Sequence, residues 1–273
     1  TVCDVMPLRK LNRLIALTAL KNFDINKNVV FKEIFNLNNK KNKLNINDLG
    51  FLIGPILNAG GRLGKSNYAS ELLSSDNLDI VNIKSIELIK LNEKRKKIEK
   101  LILNEIDFKK IELNNKSVII YYNPTINEGL IGILAARLKD FFFKPAIVIT
   151  NSGKILKGSA RSIYGYNIGR AIKNSLSNEI IVNGGGHDMA AGFTLKRSNL
   201  NDFRNFIIKD FSRNALHQRN IFKYDAEISP KAFNKDFYKD IQQLEPFGTG
   251  NPSPTFLIKN LKVIKVSIIQ NEH

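Results

Sequence analysis

Asn183-Gly184-Gly185-Gly186-His187-Asp188-Met189-Ala190-Ala191-Gly192 is preceded by Glu179-Ile180-Ile181-Val182, a β-branched run that reads as a buried strand. The residues after the glycines are small and helix-compatible, so the expected local shape is strand, tight glycine turn, short helix. Three successive glycines leave backbone N–H groups uncovered and able to converge on one point. A phosphate favours that geometry, helped by the positive end of the following helix. His187 would stand at the mouth as a hydrogen-bond donor to a phosphate oxygen. Taken alone, the pattern equally fits a sharp turn carrying a surface histidine.

Outward from this segment the chain alternates strands and helices. Ser117–Tyr122 reads as a strand, Glu128–Lys139 as a helix with small residues for close packing, and Pro145–Ile149 as the next strand. That order implies a right-handed parallel crossover. In Ile155–Ser162, Ser159 and Arg161 lie two apart in an extended run and so point to the same face. Together they suit a phosphate clamp, although ordinary strand polarity gives the same pattern. Asn12–Leu20, Val29–Leu37 and Asn199–Ser212 read as helices, and 38–47 as a solvated Asn/Lys-rich loop. A helix from Ser74-Ser75-Asp76 to about Lys110 would carry Lys94-Arg95-Lys96-Lys97 on its solvent side. Phe256/Ile258 and Val263/Val266/Ile268 alternate as strands do.

Composition narrows the partners. Lysine and arginine number 42 against 25 acidic residues, a formal charge of +17, which predicts attraction to polyanions. Much of the excess is lysine accompanied by asparagine, so arginines at motif positions say more than the total. Cys3 is the single cysteine, which excludes an internal disulfide framework and reads as a small buried residue. No stretch approaches the roughly 18 apolar residues of a membrane span. With no secretory leader, a cytoplasmic location is expected. The chain starts at Thr1 and ends in an apolar run followed by Gln-Asn-Glu-His, which reads as a portion of a longer protein.

Four ordered blocks carry a family resemblance: TVCDVMPL at 1–8, GPILNAGGRLG at 54–64, GSARS with GGGHDMAAG at 158–192, and LEPFGTGNPSP at 244–254. GGGHDMAAG resembles the glycine-histidine motif of the DHH-associated domain in DHH-family phosphoesterases. The other blocks resemble the RecJ family of single-strand-specific exonucleases. The resemblance implies an α/β fold: a DHH-associated domain with mixed sheet and flanking helices, a long linking helix, and a partial OB-like β-barrel at the C-terminus. It divides the chain into 1–75 (the end of a DHH catalytic domain), 76–112 (linking helix), 113–216 (DHH-associated nucleic-acid-binding domain) and 220–273 (incomplete OB-fold).

It further implies a metal-dependent 5′→3′ exonuclease of DNA repair and recombination acting on single-stranded DNA, with a helicase and a single-strand-binding protein as partners. Asp4 corresponds to a ligand of the family's Mn²⁺ or Mg²⁺ pair, hard cations suited to carboxylate oxygen. The sequence DHH itself is absent, so this chain alone cannot assemble the metal centre and is expected to be inactive alone. Substrate binding falls to Asn58, Arg62, Ser159, Arg161, Gly185, Gly186 and His187, with His187 also the catalytic candidate. The block at 54–64 has Ile56-Leu57 where the family has Arg-Ile, which removes one basic contact. Asn127 replaces a family histidine and would cap the helix that follows. Two other functions fit the same motifs: a phosphodiesterase for small nucleotides, and a non-catalytic single-strand-binding module.

Overall fold

The computed structural model describes residues 2–3, 6–114, 117–215 and 223–266. In chain order the helices begin with α1 (Lys10–Asn22), α2 (Val29–Leu37), α3 (Ile46–Asp48), a π-helical turn (Leu49–Ile53) and α4 (Gly54–Arg62). They continue with α5 (Tyr68–Leu73), α6 (Leu78–Glu105) and α7 (Phe108–Asn114). Next come β1 (Ile119–Tyr122), α8 (Ile131–Phe142), β2 (Ala146–Ser152), β3 (Ile155–Arg161) and α9 (Ile168–Ser177). The sequence closes with β4 (Asn183–His187), β5 (Ala190–Leu195), α10 (Leu200–Asn214), β6 (Ala226–Glu227), α11 (Lys235–Gln242) and β7 (Phe256–Leu257). These elements fall into two compact units.

The larger unit, Asn28–Lys41 with Pro55–Arg219, holds the sheet. Its strand order is β1-β2-β3-β5-β4. β1 and β2 run parallel through the α8 crossover, and the remaining pairs are antiparallel. Ala146–Thr150 of β2 are all buried, as a central strand covered on both faces requires. On one face Ile147, Ile149, Ala160, Ala191 and Phe193 form a core with Ile168, Ala171 and Ile172 of α9 and Phe203 and Ile207 of α10. On the other, Ile119, Ala146 and Val148 pack under Ile131, Leu134, Ala135 and Leu138 of α8, with Ile98, Ile102 and Leu103 of α6 alongside.

In α6 the buried residues Val81, Ser85, Leu88, Asn92 and Glu99 recur at spacings of four, three, four and seven, a single stripe along a helix about 42 Å long. Asn77, rather than the preceding serines, caps it, accepting from the amides of Asp79 and Ile80 at 2.9 and 3.2 Å. Arg95 is not on the solvent side: its side chain is only 12% exposed and pairs with Glu99 at 3.0 Å.

Three local expectations need correcting. Glu179–Val182 is a turn and bends, Asn183–His187 is itself a strand, and Ala190–Gly192 belongs to β5, with no helix between. The triple glycine is therefore an arm of a tight hairpin, and no helix follows it; the helix end nearest it is that of α9, where Ile168 N donates to Asp188 O at 3.1 Å. Strands compete better than a turn here because the glycine backbone is paired across the ladder. Second, α8 begins at Ile131, and Asn127 instead closes the preceding turn by accepting from Gly129 N at 2.8 Å. Third, residues 261–266 form no strand, and Val263 and Val266 are exposed. Ile268, the third member of that alternation, lies outside the described residues. Among the described C-terminal residues, β6 and β7 make one short parallel pair.

The smaller unit comprises Thr1–Lys27, Asn42–Gly54 and Asn220–His273. In it the first and last sequence blocks meet. Leu8 N donates to Thr249 O at 2.6 Å, Arg9 Nε to Gly250 O at 2.6 Å, and Arg13 Nη2 to Leu244 O at 2.8 Å. Gly250 adopts φ +74, and a Cβ there would press on Pro7 at 3.2 Å, so the close approach requires glycine. Cys3 is exposed rather than buried.

Candidate nucleic-acid interface

Residues directly opposite in neighbouring strands share a sheet face. The register therefore defines three rows on the face that α8 covers over β1 and β2. Val148, Ser159, Gly192 and Gly185 form one row, Ala146, Arg161, Ala190 and His187 the next, and Thr150, Lys157, Thr194 and Asn183 the third. Ser159 and Arg161 are half-buried, whereas Gly192 and His187 are exposed. The β3-β5-β4 half of this face holds a cleft of about 440 Å³ lined by Lys157, Gly185, Gly192, Asn183 and Thr194.

Its floor is peptide backbone. A Cβ on Gly185 would meet nothing within 4 Å, and one on Gly192 only a carbonyl oxygen at 3.9 Å. Packing does not demand glycine at either position; what a side chain would remove is access to the backbone. Gly186 differs, because a Cβ there would lie 2.3 Å from Ala190 O and 2.6 Å from Ala191 Cβ. It belongs to the packed side of the hairpin and offers the open face no surface.

Two arginines stand beside this floor. Arg161 Nη1 donates to Ser159 Oγ at 3.2 Å and to Ala160 O at 2.8 Å. Gly132 of α8 lets the helix approach, since a Cβ there would sit 3.1 Å from Arg161 Nη2. Arg62, at the end of α4, donates through Nη1 to Gly129 O at 3.2 Å, just ahead of α8. The two guanidinium groups feel each other: Arg161 is lowered from its ordinary pKa by burial and then by the charge of Arg62. Burial also lowers Arg62, followed by repulsion from Arg95 and partly offset by Glu99. Neither arginine has a carboxylate within ion-pair distance among the described residues. Glu99 is thus the one acidic group acting on the pair, and two half-buried guanidinium groups held outside ion pairs are complementary to an anion.

His187 lies two strands from Arg161 in the same row, about 9–10 Å at the usual strand spacing. Its imidazole is exposed, while its backbone is fixed beneath Gly169, where a Cβ would lie 2.7 Å from His187 O. Asn167 adds a hydrogen bond to Asp188 in the adjoining turn. Asn58 precedes Arg62 by one turn of α4 and is exposed, with no hydrogen bond linking it to the sheet residues among those described. Ile56 is in the core at 1% exposure, as its apolar side chain dictates. Asp4 lies outside the described residues, as do His217 and His273. No group of three or more His, Cys, Asp or Glu able to hold a metal occurs among the described residues, so they do not fit a divalent-metal pair.

Sequence reasoning missed Lys157, Asn183 and Thr194. Counting back by twos from Arg161 and Ser159 leads to Lys157. The other two become visible only once the register of β4 and β5 is known.

Residues 115–213, which hold this mixed sheet and its glycine-floored face, match the DHHA1 domain model. Residues 224–273 match the model of the RecJ OB domain. Over nearly its whole length the chain resembles the single-stranded-DNA-specific exonuclease RecJ of Bacillus subtilis, 31% identical over 95% of this chain and 34% of that protein. It also resembles RecJ of Escherichia coli, 31% identical over 94% of the chain and 46% of that protein. The chain belongs to the RecJ family, and it spans between a third and a half of the length of these relatives. The crystal structure of Thermus thermophilus RecJ in complex with Mn²⁺ shares the fold, with TM-score 0.78 at 23% identity over 94% of this chain and 38% of that one. No helix among the described residues is long and apolar enough to cross a membrane.

Proposed function

We propose that the chain is the strand-gripping part of a metal-dependent, single-strand-specific exonuclease that digests DNA from the 5′ end in repair and recombination. The observation carrying this reading is the pair of half-buried arginines, Arg62 and Arg161, neither in an ion pair among the described residues, on the side of the sheet with a floor of bare backbone. A phosphodiester oxygen pair complements the arginine fork. The flat glycine surface at Gly185 and Gly192 admits a sugar–phosphate backbone that any side chain would hold off. Ser159 donates its hydroxyl alongside, and His187 offers an imidazole N–H from the row of Arg161 on the same sheet face. Such a track positions the strand, and positioning supplies much of the rate gain in phosphoryl chemistry.

The bond-breaking metals of the family find no donor set among the described residues, so this chain's contribution is binding and alignment. The division into 1–75, 76–112, 113–216 and 220–273, the cytoplasmic location, and the helicase and single-strand-binding protein as partners extend the proposal by family resemblance. Arg161→Ala should weaken binding of a single strand by about ten- to a hundredfold, the loss of a charge-assisted contact. His187→Ala in the whole protein should cut cleavage severely with the fold intact. Near wild-type affinity and cleavage in both would refute the assignment.

A further inference from the structure

Outside the sheet cleft, α6 and α8 line a second cleft of about 360 Å³, two of whose residues, Arg95 and Glu99, also act electrostatically on Arg62. Arg95, Lys96, Glu99, Lys100, Asn104 and Arg137 line it, with Glu99 the single carboxylate of the lining. The carboxylate is buried, with a side chain 8% exposed, and each of its oxygens is taken: Oε2 by Arg95 Nη1 at 3.0 Å and Oε1 by Arg137 Nε at 2.7 Å. Arg95 is fixed further through Nε, which donates to Asn92 Oδ1 at 3.1 Å.

Arg137 is the informative member. Its side chain is 59% exposed, yet it is held by its inner nitrogen, and the terminal pair Nη1 and Nη2 makes no hydrogen bond among the described residues. An exposed arginine ordinarily loses considerable rotamer freedom when it grips a ligand. Glu99 removes most of that cost in advance. The remaining donors form the two-pronged end that matches two oxygens of a phosphate. Lys96 adds charge one helical turn before Lys100 on α6.

We propose that this cleft is a second phosphate-binding site, beside Arg62 but lined by other residues than the sheet cleft, in which Glu99 holds Arg137 ready for a phosphate group. That group comes either from the backbone of a bound strand beyond the sheet cleft or from a free phosphate compound. The first source rests on the strand-binding reading above; the second does not. Inorganic pyrophosphate and a length series of oligothymidylates, from the dinucleotide upward, separate them.

Arg137→Ala should weaken pyrophosphate binding by about tenfold, and Glu99→Gln should weaken it as well. The latter is diagnostic, because general charge attraction predicts tighter binding once a negative charge is removed. If Arg137→Ala also weakens long oligothymidylates but not the dinucleotide, and flattens their salt dependence by about one unit, the strand supplies the phosphate. If only pyrophosphate binding falls, the ligand is a free phosphate compound. Unchanged pyrophosphate binding in Arg137→Ala, or tighter binding in Glu99→Gln, overturns the site. Should the alanine variant not fold, Arg137→Lys keeps the charge without the fork and should bind pyrophosphate several-fold more weakly. An effect of Arg137→Ala on long strands without any effect of Arg161→Ala would instead overturn the sheet-face reading and leave this one standing.

Discussion

Neighbouring glycines in one strand do different work. Gly185 has open space where a Cβ would go, whereas Gly186 is crowded by Ala190 and Ala191. Gly185→Ala should therefore fold at least as well as the parent, gaining up to about 0.4–1 kcal/mol from reduced freedom of the unfolded chain. It should still lose strand affinity, because the methyl group stands on the floor. Gly186→Ala should lower the melting temperature. Thermal unfolding and anisotropy measured on both variants test the distinction. A second residue-level prediction concerns Glu128, whose carboxyl is held below its ordinary pKa by a hydrogen bond from Ser152 Oγ at 2.9 Å and by Lys157 at 3.3 Å. A depressed carboxylate contributes stability above its unfolded pKa, and that contribution disappears as pH falls through the folded value. Ser152→Ala should move the Glu128 titration, followed by carboxyl NMR, upward toward the ordinary value.

Among elements, the crossover β1-α8-β2 and helices α2 and α10 were legible because their apolar spacing is clear: Val30, Ile34 and Phe35 on α2, or Phe203 and Ile207 on α10; α6 was legible in outline, though it ends at Glu105 and not near Lys110. The shape of 183–192 was not legible. Glycines followed by small residues satisfy a turn-helix and a hairpin equally well, and the choice depends on β3 presenting a free edge to β5, which local sequence does not encode. The same applies to Arg95, whose lysine neighbours gave it a solvated character. It shares Glu99 with Arg137, 42 residues further on and beyond any local pattern. Ser159 and Arg161 were placed on one face by strand period alone, but aligning them with Gly192 and His187 needed the ladder. At this scale Phe203, fully buried and 4.5 Å from the Phe193 ring, anchors α10 to the sheet. Phe203→Ala should cost about 3–5 kcal/mol in denaturant unfolding.

In the molecule as a whole, the smaller unit is assembled from segments distant in sequence, and arginines tie the seam between them. Arg13 donates to the carbonyls of Leu244 and Glu245 at 2.8 and 3.1 Å. Arg13→Ala should loosen that seam locally: exchange of the Leu8 amide, bonded to Thr249 O, should quicken by about tenfold or more. Amides of β2 and β3 should keep their protection, since they belong to the other unit.

The pairing of Arg13 with Leu244 spans 231 residues. During synthesis at roughly 5–20 residues per second, α1 emerges some 10 to 50 s before the loop that fastens it. For that interval the Arg13 guanidinium has neither the Leu244 nor the Glu245 carbonyl to bind. The seam between α1 and that loop can thus close only after residues 244–251 have been translated.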